Sequence, residues 1–80
     1  MSTILVCQAV SASLDNTIFM GKVTCKEKQT NGRIKTLWHK RVGRKLLRTT
    51  KKDALEDAVI FANDIMNTNY AISYKLLILK

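Results

Sequence analysis

Side chains able to do chemistry are few in this chain and widely spaced. Its single histidine, His39, has no nucleophile or carboxylate at a fixed spacing, so it reads as a surface residue and not as a general base. Cys7 and Cys25 stand eighteen residues apart inside apolar stretches, with no C-x-x-C pair and one histidine in the whole chain, too few donors for a zinc site. The expected state of both thiols is reduced and buried, as small hydrophobes, with a disulfide between them as the alternative. Asp53, Glu56 and Asp57 have the types of metal ligands but sit where a helix would begin, a position that favours negative charge without any ion. Three glycines with no Gly-rich run leave no phosphate-cradling loop. These residues point to a protein that is not an enzyme, with no catalytic residue, no metal and no cofactor.

Charge is the more informative property. Fourteen Lys and Arg against six Asp and Glu give +8, an imbalance that calls for an anionic partner. The excess is concentrated, since residues 20–52 hold twelve of the fourteen basic residues and a single acid, Glu27. Eighty residues make one small domain, 1–80, and a chain of this size removes only about 60% of its unfolded surface from water, which leaves little room for an enclosed cleft. With 46% hydrophobic residues, no proline and no low-complexity tract, disorder and collagen-like structure are excluded. The apolar run from Ile4 to Val10 contains Gln8, is too short to span a bilayer and has no basic segment before it. A cytoplasmic protein without a membrane partner is expected.

The elements that must carry these charges follow from hydrophobic period. Thr3 to Val10 is a β-branched apolar run suited to a strand buried on both faces, and Ser11 to Asn16 is a loop. Thr17 to Glu27 and Arg33 to Val42 are two further strands, joined across Asn31-Gly32, the dipeptide preferred by a two-residue type I′ turn. Gly43 marks another turn, after which Lys45 to Arg48 is placed as a short fourth strand. Leu55, Ala58, Val59, Ala62, Ile65 and Met66 share one face of a helix, opened by a Thr50/Asp53 capping box and stopped by Asn67 and Asn69. Tyr70 to Leu79, dense in Ile, Leu and Tyr, is a final and interior strand with both tyrosines on one face. The expected fold is α+β: one antiparallel sheet of four to five strands in the order β-β-β-(β)-α-β, with the helix packed on one face.

A two-residue turn at Asn31-Gly32 sets the hairpin register. It pairs Lys28 with Lys35, Lys26 with Leu37, Thr24 with His39 and Lys22 with Arg41, and places Arg33 on the same side. One sheet face then carries Lys22, Lys26, Lys28, Arg33, Lys35 and Arg41. The other carries Phe19, Val23, Cys25, Ile34, Trp38 and Val42, with Glu27, Thr36 and Lys40, and Trp38 becomes a core anchor under the helix. Like charges opposed across strands are destabilising, so a face of this kind either binds an anion or protects an exposed edge. Arg44, Lys45 and Arg48 extend the basic surface, and with the six face residues they form the expected binding site for nucleic acid or an acidic partner.

The stretch GRKLLRTTKKDALEDAVIFANDIM, Gly43 to Met66, resembles the last turn and second helix of double-stranded RNA-binding domains, with Lys51, Lys52 and Ala54 matching the residues that open that helix against phosphates. The family's N-terminal helix has no counterpart here, and Asp53, Glu56 and Asp57 stand where the family is basic. The hairpin-plus-helix layout also resembles the three-stranded arm-binding domains of phage-type integrases, which implies a sheet face turned to DNA. Taken whole, the size and β-β-β-α-β order are similar to small phage-encoded anti-CRISPR proteins, which implies stoichiometric inhibition of a nucleoprotein complex in a host cytoplasm. Two functions are therefore expected: a module whose cationic face neutralises phosphates with little base reading, or an inhibitor that docks on an acidic surface of a nucleic-acid-handling protein. Either could act as a homodimer through an unpaired strand edge.

Overall fold

A computed structural model describes residues 2–42, 47–69 and 73–79 of the chain. Three long strands come first, β1 (Ser2–Ser11), β2 (Phe19–Lys28) and β3 (Ile34–Val42), followed by helix α1 (Lys51–Thr68) and strand β4 (Tyr74–Ile78). The sheet order is β3-β2-β1-β4. β2 runs antiparallel to both β1 and β3, whereas β4 runs parallel to β1. The fold is α+β as expected, with a sheet that is mixed instead of wholly antiparallel. The helix supplies the reason: it carries the chain back along the sheet, so the strand after it re-enters in the direction of β1.

The hairpin does not use a two-residue turn. Gly32 N–H donates to the Gln29 carbonyl at 3.0 Å and Gln29 N–H donates to the Arg33 carbonyl at 2.8 Å, which closes a three-residue loop over Thr30, Asn31 and Gly32. Gly32 has φ +84° while Asn31 does not have a positive φ, so this is a tight turn followed by a left-handed glycine and not the type I′ turn. Asn31 contributes through its side chain, whose Oδ1 accepts from Arg33 N–H at 3.0 Å. The longer loop moves the register by one near the tip, giving Lys28↔Ile34, Glu27↔Lys35 and Lys26↔Thr36. A bulge at Leu37 restores the expected pairs further in, with Cys25↔Trp38, Thr24↔His39 and Lys22↔Arg41.

The core lies between α1 and the two central strands. Leu5, Cys7, Val23 and Cys25 meet Ala58 and Ala62, and Leu55, Val59, Ile65 and Met66 close the sides, as the helical spacing predicts. Thr50 caps the helix, its hydroxyl accepting from Asp53 N–H at 3.3 Å, and Asn69 ends it by donating its N–H to the Ile65 carbonyl. Both cysteines are free and buried. Cys25 pairs across strands with Leu5 and Cys7 with Val23, so the two thiols are diagonal neighbours, and the Cys7 thiol donates to the Ala58 carbonyl at 3.7 Å. Burial pushes the Cys7 thiol above its ordinary 9.0, and Cys25 is raised by burial and then by the charge of Glu27. Because the folded state holds these protons more tightly than the unfolded chain, their contribution is complete below pH 9.0 and is lost as the pH rises through the folded values. Native protein is expected to resist a thiol-reactive dye at pH 7 and to react in urea at the rate of its global unfolding, while urea midpoints fall as the pH rises above 9.0.

The width of a single helix decides which strands carry the core. A helix is about 10–12 Å across and strands lie about 4.8 Å apart, so one helix covers two strands and not four. It covers β1 and β2. Trp38, on the helix side of β3, is therefore 37% exposed and not a core anchor, and Ile34, turned over by the register change, is 59% exposed. β4 lies at the sheet edge and not inside it; Tyr74 and Leu76 pack on the core while Leu77, Ile78 and Leu79 stay exposed. Of the expected strand at Lys45 to Arg48, the described part is Leu47 and Arg48; Leu47 is exposed and in no strand, and Arg48 forms a single antiparallel bridge with Phe19 through bonds of 2.7 and 2.9 Å. Gly43, Lys45 and Tyr70 lie outside the described residues.

Candidate nucleic-acid interface

Gly21 faces the helix, so strand alternation assigns the other positions of β2. Phe19, Val23, Cys25 and Glu27 share its side, whereas Met20, Lys22, Thr24, Lys26 and Lys28 point to the opposite face, which no helix covers. Following the cross-strand pairs gives rows across this open face. Arg41, Lys22 and Gln8 form one; His39, Thr24, Val6 and Leu77 the next; then Thr36, Lys26, Ile4 and Lys75; and at the hairpin end Ile34 and Lys28. The two middle rows are polar or cationic on β2 and β3 and become apolar on β1, at Val6 and Ile4.

The open face thus presents Lys22, Lys26, Lys28, Arg41 and Lys75, with no Asp or Glu at any of its described positions. Among the described residues the one ion pair is elsewhere, between Arg48 and Asp57. Lys22 and Arg41 are direct cross-strand neighbours, an arrangement of like charges that costs stability and gains nothing internally. Lys22 and Lys26 are half-buried at their stems, while Lys28, Arg41 and Lys75 are exposed. Solvated ammonium and guanidinium groups spaced along two strands offer donors to an extended anion.

Four of the expected site residues are brought together on this face: Lys22, Lys26, Lys28 and Arg41. Lys35 is not; paired with Glu27, it falls on the helix side. Arg33 faces Gln29 at the base of the hairpin loop and, one residue before Ile34, falls on the helix side, because the turn has three residues instead of two. Arg48 is committed internally, its Nε and Nη2 donating to the two oxygens of Asp57 at 2.9 and 3.1 Å. That partner raises the Arg48 guanidinium further above its already high value, first by the hydrogen bond and then by charge, so Arg48 clamps the segment before the helix to the helix itself. Arg44 and Lys45 lie outside the described residues. His39 falls on the open face as expected.

Lys75 was missed by sequence reasoning, although Tyr74 turned inward would have placed it outward by alternation. What no pattern could give is its row-mate: β4 pairs with β1, so Lys75 and Lys26 flank Ile4. Two other basic groups are used on the helix side. Lys40 Nζ lies 5.2 Å from the centroid of the Phe61 ring, and Lys51 Nζ lies 5.8 Å from that of Phe19. Lys51 and Lys52 also line a groove of about 620 Å³ with Gln8, Ala9, Leu55 and Leu79. It opens beside the helix start, so the lysines singled out by the RNA-binding resemblance are not part of the open sheet face. No family model, curated protein or solved structure matches the chain.

Proposed function

We propose that the protein is a non-enzymatic nucleic-acid-binding module that lays the β2–β3 half of its open sheet face along a phosphate backbone. The observation that carries this reading is a set of basic side chains on one uncovered face, Lys22, Lys26, Lys28, Arg41 and Lys75, with no acid among its described positions. Phosphates neutralised by these groups release counterions, which supplies affinity without reading bases. Thr24, Thr36 and His39, in the same rows, are placed to donate further hydrogen bonds to phosphate or sugar.

A second reading has one observation of its own. Ile34 and Leu37, 59% and 44% exposed, adjoin Lys28 and Lys26, and apolar anchors beside cations suit an acidic protein surface, such as that of a host defence complex inhibited in the anti-CRISPR manner. Fluorescence anisotropy of labelled DNA and RNA, duplex and single-stranded, separates the two. For the nucleic-acid reading, the logarithm of the binding constant is expected to fall with the logarithm of salt at a slope between roughly −3.5 and −4.5, about 0.9 for each phosphate neutralised by the face. Absence of binding at low salt would refute it and direct the search to a nuclease-resistant protein partner.

A further inference from the structure

Among the described residues the sheet has two edges with no further strand, along β3 and β4, and they differ in charge. Along β3, from the hairpin inward, lie Lys35, Lys40 and Arg41 with no acid, and the bulge at Leu37 interrupts the regular ladder. Two such edges repel, and lysines and a bulge are devices that keep an edge unpaired. β4 is the reverse. In Tyr74–Ile78 the one charge is Lys75, and Leu77, Ile78 and Leu79 are 47%, 39% and 46% exposed in an unbroken run. An apolar edge strand with its backbone groups open is a template for another strand.

We infer that β4 is a self-association edge, at which a second copy of this chain pairs antiparallel with β4 and continues the sheet to eight strands. The register follows from the backbone. In a parallel ladder alternate residues send both N–H and C=O to the same neighbour, and Leu79 N–H donates to the Cys7 carbonyl of β1 at 2.9 Å. Stepping by two, Leu77 and Lys75 also face β1, so Tyr74, Leu76 and Ile78 direct their backbone groups to the free edge. A two-fold axis at Leu76 makes hydrogen-bonded pairs of Leu76 with its own copy and of Tyr74 with Ile78, an aromatic and β-branched combination favoured across strands. The same axis sets Lys75 opposite Leu77 and not opposite another lysine. The axis is perpendicular to the sheet, so both open faces look the same way. The apolar Ile4, Val6 and Leu77 of the two copies meet in the middle, and the cationic hairpins lie at the two ends.

This assembly is independent of what the cationic face binds, and its test involves no nucleic acid. Sedimentation equilibrium across the micromolar range is expected to show wild-type mass rising from 9.1 kDa toward twice that value. Ile78→Pro removes a backbone N–H that points to the free edge and takes no part in pairing with β1, so it should keep the circular dichroism of the wild type and sediment as a monomer. Leu77→Lys sets a lysine against the partner's Lys75 on both sides of the axis and should raise the dimer dissociation constant by at least about tenfold. Leu77→Glu sets a carboxylate there instead and should leave the dimer intact or tighter. A wild-type monomer at every concentration would overturn the inference, as would a dimer unaffected by both Ile78→Pro and Leu77→Lys.

Discussion

Changing Lys22, Lys26, Lys28 and Arg41 together to glutamine is expected to weaken nucleic-acid binding by at least about a hundredfold and to flatten the salt slope from roughly −4 to roughly −1, since Lys75 alone remains on the face. The loss should come without unfolding. The four side chains make no ion pair among the described residues, and Lys22 opposes Arg41, so their removal relieves repulsion and the variant should melt at or above the wild-type temperature. Arg33→Gln with Lys35→Gln is the informative control. Both are basic and both belong to the hairpin, yet they lie off the face, so the pair should change the slope far less than any two of the four. Equal losses from the two sets would mean that net charge and not the open face governs binding, and undiminished binding in the fourfold variant would refute the proposed interface.

The second large effect is expected at Gly21, which is remote from any ligand. A Cβ at this position would stand 2.6 Å from the Ala54 carbonyl oxygen, 2.9 Å from the Ala58 nitrogen and 3.0 Å from the Ala58 Cβ. The first two are helix backbone, so no rotamer change can make room; the helix would have to rise from the sheet over Val23 and Cys7, which are fully buried. Overpacking of this kind costs about 1–3 kcal/mol, and Gly21→Ala should fall at the upper end. Gly21→Val adds two further methyl groups and should exceed it. For eighty residues the whole stability is on the order of 4–12 kcal/mol, so Gly21→Val is expected to leave much of the chain unfolded at 37 °C by urea titration. Gly32 provides the contrast, because nothing lies within 4 Å of a Cβ there, and its φ of +84° is the whole of the reason for a glycine. Gly32→Asn should accordingly be tolerated.

Close packing at Gly21 also explains the small residues of the helix. Ala54, Ala58 and Ala62 are fully buried, and the helix approaches the sheet along this line because none of them, nor Gly21, interposes a side chain. The spacing predicted that Ala58 and Ala62 face inward. It placed Leu55 and Val59 equally inward, whereas they flank the contact and are half-buried. The helix thus lies on one side of β2, and alternation along that strand turns Lys22, Lys26 and Lys28 to the other.

Local chemistry was sufficient for several features. Thr50 and Asp53 marked the helix start and Asn69 its end, because capping depends on residues three or four apart. Period-two alternation along β2 separated Val23 and Cys25 from Lys22 and Lys26, and the concentration of basic residues in 20–52 located the cationic half of the sheet. Asn31-Gly32 announced a hairpin but not its length: the side chain of Asn31 was as able to accept from Arg33 N–H as its backbone was to adopt a positive φ. That choice changes the register by one and moves Lys35 to the other face. The remaining features depended on contacts between residues far apart in the chain. Which two strands the helix covers, that β4 joins β1 at an edge, and that Arg48 is taken by Asp57 are set by competition among surfaces that all look alike in sequence. Trp38 is as apolar as Val23 and Leu5; it is exposed because a single helix is too narrow to shelter four strands, a limit that belongs to the assembled layers and to no residue within them.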